Sequence, residues 1–462
     1  MHKQFLADSF HHRRDQLRKD WFELLRFATV ASDPACQAAC RDCAAWLCRM
    51  LEGMGFVAEV VPTPGQPLVM AERPADLAGA PTVMFYGHYD VQPTDPRELW
   101  EQADPFEPVE REGRVYARGA SDNKGQLFFS LQSLAALIEA GVELPRLRIV
   151  LEGEEECGSH GFGEFLKEHP EKFGCDILFV CDTNMAADGR AAIVAGLRGS
   201  IHATLTLEGA GHDLHSGLHG GLAPNAAQGM ARLLATLHDE RGAIRIDGFL
   251  EGLLPPAPQE LVLALESPFN EADYAAETGV AACGGESGVA AQLRLGFRPT
   301  IEVNGIASGY NGPGHKTIIP ARARAKLSAR LCPAQDPAAC LAALEKHLRQ
   351  HCPPGLRLTF ESESAGFRGF RLPIDAPVVA MAREILDRMD PRGSVLLWEG
   401  ASLPIVSELQ TVAGAEVLLV GFGVEADHIH APNESYGWWQ AEKAYTFAGS
   451  LFARLAEKTE PA

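Results

Sequence analysis

The sequence lacks any apolar run of the roughly 18–20 residues that a membrane-spanning helix needs. It is also poor in positive charge, since 41 lysines and arginines face 61 aspartates and glutamates and the formal net charge is -20. Nucleic acids and anionic membranes attract clustered basic residues, so this balance argues against both as partners. Residues 1–19 are polar and lack the apolar stretch of a secretory signal, so we expect a cytoplasmic protein.

The sequence has no disulfide or zinc-ribbon pattern either. Its 11 cysteines are odd in number, and a long chain without a signal is expected to keep its thiols reduced. Cys40 and Cys43 form a CxxC, but no second pair follows at the spacing of a structural zinc site. We interpret these cysteines as small packing residues on a helix.

Apolar residues make up 46% of the 462 residues, which is enough for two domain cores. The first part predicts an α/β sheet, with strands at 82–86, 148–151 and 176–181 and a helix at 127–138. Each strand is followed by carboxylates or histidine. In open α/β sheets, sites form beyond the carboxyl ends of the strands, so we expect these side chains to converge.

The pattern changes near residue 199. Residues 201–207 alternate in hydrophobicity, as a half-exposed antiparallel strand does. We predict further strands at 293–297, 301–304, 323–331 and 356–361, and helices at 226–237 and 338–350. The fold class is therefore α/β: a mixed-sheet catalytic domain with helices on both faces (1–198 and 370–462), interrupted by a smaller α+β domain (199–369).

The candidate chemistry lies in scattered acids and histidines. Seven residues are the candidates: His88, Asp90, Asp122, Glu155, Glu156, Asp182 and His430. Any one of them alone is more often structural. Several carboxylates directed into one buried place would repel each other and be expensive to desolvate, and a pair of divalent cations would stabilise them. Mixed imidazole and carboxylate ligands suit zinc, with manganese or cobalt as alternatives.

Five ordered motifs carry a family resemblance. They are GHYDVQP at 87–93, ARGASDNKG at 117–125, LEGEEECGS at 151–159, DLHSGLHGG at 213–221 and HAPNE at 430–434. The sequence resembles the di-zinc metallopeptidases that include carnosinases, Cys-Gly dipeptidases, aminoacylases and succinyl-diaminopimelate desuccinylases. The resemblance extends from about residue 15 to 455 and implies two divalent ions per subunit. It also implies that the inserted domain serves as a dimerisation and lid domain, so we expect a homodimer.

The resemblance assigns the metal ligands. His88 and Asp182 would hold one ion, and Glu156 and His430 the other. Asp122 would bridge the two. Such a pair of ions can activate a shared water for attack on an amide carbonyl.

The neighbouring residues receive supporting roles from the same resemblance. Asp90 would hydrogen-bond His88 and fix its tautomer. Glu155 would be the general base. If Glu155 and Glu156 lie on extended backbone, their side chains diverge, so one can bind metal while the other faces substrate. The family often has a cis peptide after the bridging aspartate, here Asp122–Asn123.

The insert has substrate-binding candidates. His215, in DLHSG, resembles a histidine that reaches the partner subunit's site and helps to bind the oxyanion. Arg330, in SARLCP, resembles an arginine that grips the free carboxylate of the substrate in a bidentate pair. Thr300, Ser402 and Asn225 resemble further substrate contacts. A surface-loop histidine and a solvated arginine remain the alternative interpretations.

Two enzyme functions and one non-catalytic function follow. The GLRG, DLHSG and SARLCP motifs favour a dipeptidase or small-peptide exopeptidase. An N-acyl amino acid deacylase or desuccinylase could use the same metals. A catalytically inactive binding protein is disfavoured, because every expected ligand and the base are present.

Overall fold

The computed structural model describes residues 2–362, 364, 366–400 and 403–457. The chain forms two compact units. The first unit comprises Met1–Ala195, Leu372–Leu397 and Ile405–Ala462, and the second comprises Gly196–Arg371 and Trp398–Pro404. Among the described helices, none combines the length and apolar character that crossing a membrane requires.

The described residues form α-helices throughout both units. They are α1 (His2–His12), α2 (Arg14–Leu25), α3 (Gln37–Gly53), α4 (Lys124–Glu139), α5 (His160–Glu168), α6 (Ser216–His219), α7 (Ala226–Leu234), α8 (Pro258–Leu265), α9 (Glu271–Thr278), α10 (Ala291–Phe297), α11 (Pro337–Gln350), α12 (Pro377–Met389), α13 (Pro404–Ala413) and α14 (Trp438–Ala456). The predicted helices at 127–138, 226–237 and 338–350 correspond to α4, α7 and α11.

The strands alternate with these helices along the chain. They are β1 (Val57–Val61), β2 (Leu68–Arg73), β3 (Thr82–His88), β4 (Val109–Arg111), β5 (Arg114–Tyr116), β6 (Arg146–Glu152), β7 (Ile177–Val180), β8 (Ala192–Leu197), β9 (Gly199–Glu208), β10 (Leu214–His215), β11 (Thr300–Ser308), β12 (Ile318–Ile319), β13 (Arg322–Leu331), β14 (Arg357–Glu361), β15 (Phe370–Arg371), β16 (Val395–Trp398), β17 (Glu416–Gly421) and β18 (Ser435–Gly437). The predicted mixed α/β fold is confirmed.

A large mixed sheet supports the first unit. The strands of this sheet that belong mainly to the first unit have the order β1-β2-β6-β3-β7-β17-β8. The strands β6, β3, β7 and β17 run parallel to their neighbours in this series. Helix α4 contacts both β3 and α14, and nearly all of its residues are buried. A helix that is covered on all sides is expected to be apolar around its circumference, and the segment 127–138 of α4 is mostly apolar, although polar residues such as Lys124 and Gln126 are buried as well.

The parallel strands end at one edge of this sheet. His88 at the end of β3 is in register with Glu152 at the end of β6, and Tyr86 is in register with Val180 at the end of β7. The loops that follow the three strands therefore begin side by side. This arrangement places the candidate residues of three separate motifs close together.

The second unit has a four-stranded antiparallel sheet in the order β11-β13-β9-β14. Alternate residues of β13 are buried and join a core with residues of α7 and α11. The prediction of a strand at 293–297 is wrong, because this segment is part of α10. Leu295 is exposed, so the Leu-x-Leu-x-Phe alternation does not mark one buried face. Ala, Gln, Leu and Arg are strong helix formers, and this preference prevails.

Candidate metal centre

One group of potential ligands lies at the ends of the parallel strands. Nε2 of His88 is 3.2 Å from Oδ1 of Asp122 and 3.4 Å from Oδ2 of Asp182. The three side chains are held by β3, by the turn that precedes α4 and by the loop after β7. His88 is buried and the two carboxylates are largely so. One imidazole nitrogen thus faces two carboxylate oxygens across a gap that a divalent cation would fit.

A second group shares Asp122 with the first. Nε2 of His430 is 2.9 Å from Oδ2 of Asp122 and 3.4 Å from Oε2 of Glu156. The two oxygens of Asp122 therefore face different histidines. Oε2 of Glu156 accepts a hydrogen bond from Gln92 at 2.7 Å, while its buried Oε1 has no hydrogen-bond partner. A buried carboxylate oxygen without a donor is costly, and a cation at this place would satisfy it.

The charges of this centre favour a bound cation. Burial raises the pKa of Asp182 and that of Glu156, and the nearby charge of Asp122 adds to both effects. Burial lowers the pKa of His88, but the surrounding aspartates outweigh it and hold that pKa well above its usual value. The pocket thus stabilises positive charge. The donor set of imidazole nitrogens and carboxylate oxygens fits zinc, manganese or cobalt.

Asp90 links the first group of ligands to the two glutamates. Nδ1 of His88 lies 3.1 Å from the Asp90 carbonyl oxygen and 3.4 Å from its Oδ1. The Asp90 carboxylate accepts the backbone N–H groups of Glu155 and Glu156, both at 3.1 Å. Asp90 is fully buried. It therefore holds both the His88 ring and the start of the next turn.

Glu155 and Glu156 lie in a 3₁₀ turn that spans Glu155–Cys157. The condition of an extended backbone, under which their side chains would diverge, is not met, because Asp90 accepts both successive N–H groups and so stabilises a turn. Burial raises the pKa of the Glu155 carboxyl well above its ordinary value, and the charges of Asp182 and Glu156 add to this rise. The Asp122–Asn123 peptide is cis, as the resemblance implies.

The second unit contains most of the predicted substrate contacts. His215 is exposed at the end of β10, and its Nδ1 accepts the backbone N–H of Gly217 at 3.0 Å. Thr300 and Arg330 are directly paired across β11 and β13. Asn225 caps α7 by accepting the N–H of Gln228 at 3.1 Å, which explains this asparagine without a substrate. Ser402 lies outside the described residues.

Sequence reasoning missed several residues that the structure draws into these sites. Gln92 contacts Glu156, and Glu434 accepts the backbone N–H of Asp122 at 3.0 Å. Arg198 stands two residues before Ser200, the direct cross-strand partner of Arg330, and burial lowers the pKa of Arg198, with the charge of Arg330 lowering it further. Gln92 and Glu434 stand inside two of the five motifs, and Arg198 stands inside GLRG. Motif membership was the available signal, but it carried no information on the contact partners.

Comparisons with known proteins agree with the fold and the motifs. The chain is 26% identical over 404 residues to the Beta-Ala-His dipeptidase of Rattus norvegicus, covering 86% of this chain and 81% of the relative. It is 28% identical over 386 residues to a Cys-Gly metallodipeptidase of Schizosaccharomyces pombe, covering 81% and 79%. An M20 family metallo-carboxypeptidase from Sulfolobus solfataricus superposes with a TM-score of 0.82 at 27% identity, covering 95% and 99%.

Two further comparisons concern the fold and the family. The structure of human carnosine dipeptidase 1 superposes with a TM-score of 0.80, covering 99% of both chains, and at 23% identity it supports the fold alone. The sequence model of peptidase family M20/M25/M40 matches residues 84–458, which is most of the chain. All five motifs, including the DLHSG segment of the second unit, lie within these residues. The chain therefore belongs to peptidase family M20/M25/M40.

Proposed function

We propose that this peptidase hydrolyses dipeptides and other small peptides with a free C-terminal carboxylate, at a centre that holds two divalent metal ions. The observation that carries the proposal is the shared membership of Asp122 in both groups of potential ligands. When bound, the ions supply Lewis-acid activation of the attacking water and of the amide carbonyl. Zinc is the metal that this ligand set favours, and manganese or cobalt would also fit.

The curated relatives support the class of substrate. One of them is named for the dipeptide β-Ala-His and the other for Cys-Gly. The chain matches about four-fifths of the length of each. A dipeptide leaves both chain ends within reach of one site, so recognition of a free carboxylate would select the length of the substrate.

Glu155 is the general base in this proposal. Its carboxylate takes a proton from the attacking water while the oxygen adds to the amide carbonyl carbon. It then returns the proton to the nitrogen as the C–N bond breaks, so that an amine leaves. The support is positional: Glu155 follows Asp90 and precedes Glu156, and the charges of His88, Asp182 and Glu156 all act on its carboxyl.

The substrate carboxylate is assigned to the guanidinium of Arg330. A bidentate pair with a carboxylate is the strongest recognition that an arginine offers. Thr300 is the direct cross-strand neighbour of Arg330, which supports its proposed role as a further contact of the same carboxylate. Ser402 is a further proposed contact.

A substrate panel tests this function. We expect the protein supplied with Zn²⁺, Mn²⁺ or Co²⁺ to cleave unblocked dipeptides and to cleave their C-terminally amidated forms far more slowly. N-acetyl and N-succinyl amino acids form the third arm, with amine release as the measurement. Faster cleavage of the N-acyl amino acids than of the dipeptides would establish the alternative function, a deacylase or desuccinylase. Equal cleavage of free and amidated dipeptides would show that the enzyme does not recognise the C-terminal carboxylate of the substrate.

The proposal includes a homodimer in which the second unit provides His215 to the site of the partner. We expect His215→Ala to lower kcat by about 10²–10³-fold, the usual loss for one donor to an oxyanion, with unchanged metal content. His219→Ala is the matched control, because His219 is an exposed histidine four residues further along the same segment. Light scattering gives the oligomeric state. A fully active monomer would contradict the role in trans.

A further inference from the structure

We propose that Glu434 is a positioning residue whose buried carboxylate couples the loop that carries Asp122 to the loop that carries His430. By this coupling it determines how tightly the second group of ligands, Asp122, Glu156 and His430, binds its ion. The inference rests on the metal centre of the proposed function. It adds a residue to which the resemblance assigned no role.

The carboxylate of Glu434 is almost completely surrounded by donors. Its Oε2 accepts Nη1 of Arg118 at 2.7 Å and the backbone N–H of Gly119 at 2.8 Å. Its Oε1 accepts the backbone N–H groups of Ser121 and Asp122, both at 3.0 Å. One side chain therefore holds three backbone amides of the short segment that ends at the bridging aspartate.

The same residue belongs to the loop of His430. Glu434 follows His430 by four positions, and its own carbonyl oxygen accepts the backbone N–H of Ala117 at 3.1 Å. His430 and Asn433 have φ values of 61° and 64°, in the left-handed region that non-glycine residues rarely occupy. Such a backbone persists only where surrounding contacts hold it.

Asn433 provides a second anchor for this loop. Its side chain donates to the carbonyl oxygen of Leu99 and accepts the backbone N–H of Glu101, at 2.9 and 2.8 Å. The segment that follows His430 is therefore held by two side chains, those of Asn433 and Glu434. Only the Glu434 anchor leads to a proposed metal ligand, since its partners end at Asp122.

An ion pair that served only to stabilise the fold would not need the three backbone amides as additional donors. Arg118 and Glu434 are each 1% exposed, so the pair is buried. Charge neutralisation alone is satisfied by Arg118, yet three of the four donors to the carboxylate are backbone amides. An ionised carboxylate is the side chain that can accept four such donors. This pattern fits a group selected to fix the backbone before Asp122.

The isosteric variant Glu434→Gln distinguishes a role in fixing the backbone before Asp122 from a role as a structural partner of Arg118. Glutamine keeps the shape but has one acceptor oxygen, so its NH₂ group would face two N–H donors in either orientation. We expect the segment before Asp122 to shift and the metal-free protein to bind Co²⁺ about 10–100-fold more weakly at one of its two sites, the usual cost of losing an outer-shell partner. Stepwise addition of Co²⁺, followed by visible absorption and competition with a chelator, measures this without any substrate.

A matched control is available at the surface of the first unit. Asp76 also accepts an arginine, Arg73, and a backbone amide, that of Leu144. We expect Asp76→Asn to lower the melting temperature of the metal-free protein and to leave both Co²⁺ affinities unchanged. Glu434→Asp is the second variant. It keeps the negative charge opposite Arg118 but moves the carboxylate away from the backbone amides. It therefore provides the same test if Glu434→Gln does not fold.

The outcomes are distinct. Weaker Co²⁺ binding and altered absorption bands in a folded Glu434 variant support the inference. Affinities within twofold of the unsubstituted protein, with only a lower melting temperature, overturn it and reduce Glu434 to a structural residue. If the unsubstituted protein itself binds no divalent ion, the proposed metal centre fails, which is a different result from a failure of the Glu434 inference.

Discussion

Glu155→Ala is expected to slow dipeptide hydrolysis by about 10²–10⁴-fold, the usual contribution of a general base, while both metal ions stay bound. The physical reason is that Glu155 is the one acid of its turn that belongs to neither group of potential ligands. Its removal leaves the ions in place but deprives the attacking water of a proton acceptor. Steady-state kcat, measured with the metal content of the same sample, provides the check.

The control for this variant lies in the same 3₁₀ turn. Cys157 is exposed and is two residues from Glu155. We expect Cys157→Ala to retain both ions and most activity, which would show that the turn itself tolerates substitution. If Glu155→Ala instead loses as much metal as Asp122→Ala does, Glu155 is a ligand and the assignment of the base is wrong.

Asp122→Ala is expected to lose both metal ions and all measurable turnover. Its Oδ1 lies 3.2 Å from Nε2 of His88, and its Oδ2 lies 2.9 Å from Nε2 of His430. One substitution therefore removes a ligand from both groups and leaves the remaining carboxylates without their shared partner. The loss of affinity should reach at least the roughly 100-fold that outer-shell partners can cost. Metal analysis after dialysis measures it.

Two single-site variants provide the comparison. Asp182 belongs only to the first group and His430 only to the second. We expect Asp182→Ala and His430→Ala each to weaken one ion more than the other. Equal loss of both ions from Asp182→Ala and His430→Ala would contradict their assignment to single groups, and loss of only one ion from Asp122→Ala would contradict its bridging role.

The strand ends were the part of the site that could be predicted from local sequence. Apolar runs followed at once by His88 and by the acidic residues after β6 and β7 indicated parallel strands with side chains at one edge. This works because the carboxyl ends of neighbouring parallel strands must meet. Hydrophobic periodicity also predicted α4, α7 and α11. It failed for α10, where an alternation of leucines coincided with strong helix formers and Leu295 is exposed.

The backbone of the two glutamates could not be predicted in the same way. The sequence left open whether these two residues continue in extended geometry after the strand. The turn exists because Asp90, which is 65 positions before Glu155, accepts its N–H group and that of Glu156. Asn225 shows a different case, since a residue that resembles a substrate contact also serves as a helix cap, a role that only the structure reveals.

What the sequence by itself determined is the chemistry of this protein: its family, its mixed α/β class and the acids and imidazoles available for a metal centre. Those depend on residue types and on order along the chain. The tertiary structure alone decided how the centre is held. Arg118 meets Glu434 across 316 positions, and Asp122 meets His430 across 308. No local pattern specifies such a pair, because its geometry exists only after the sheet, α4 and the loop before α14 have packed together.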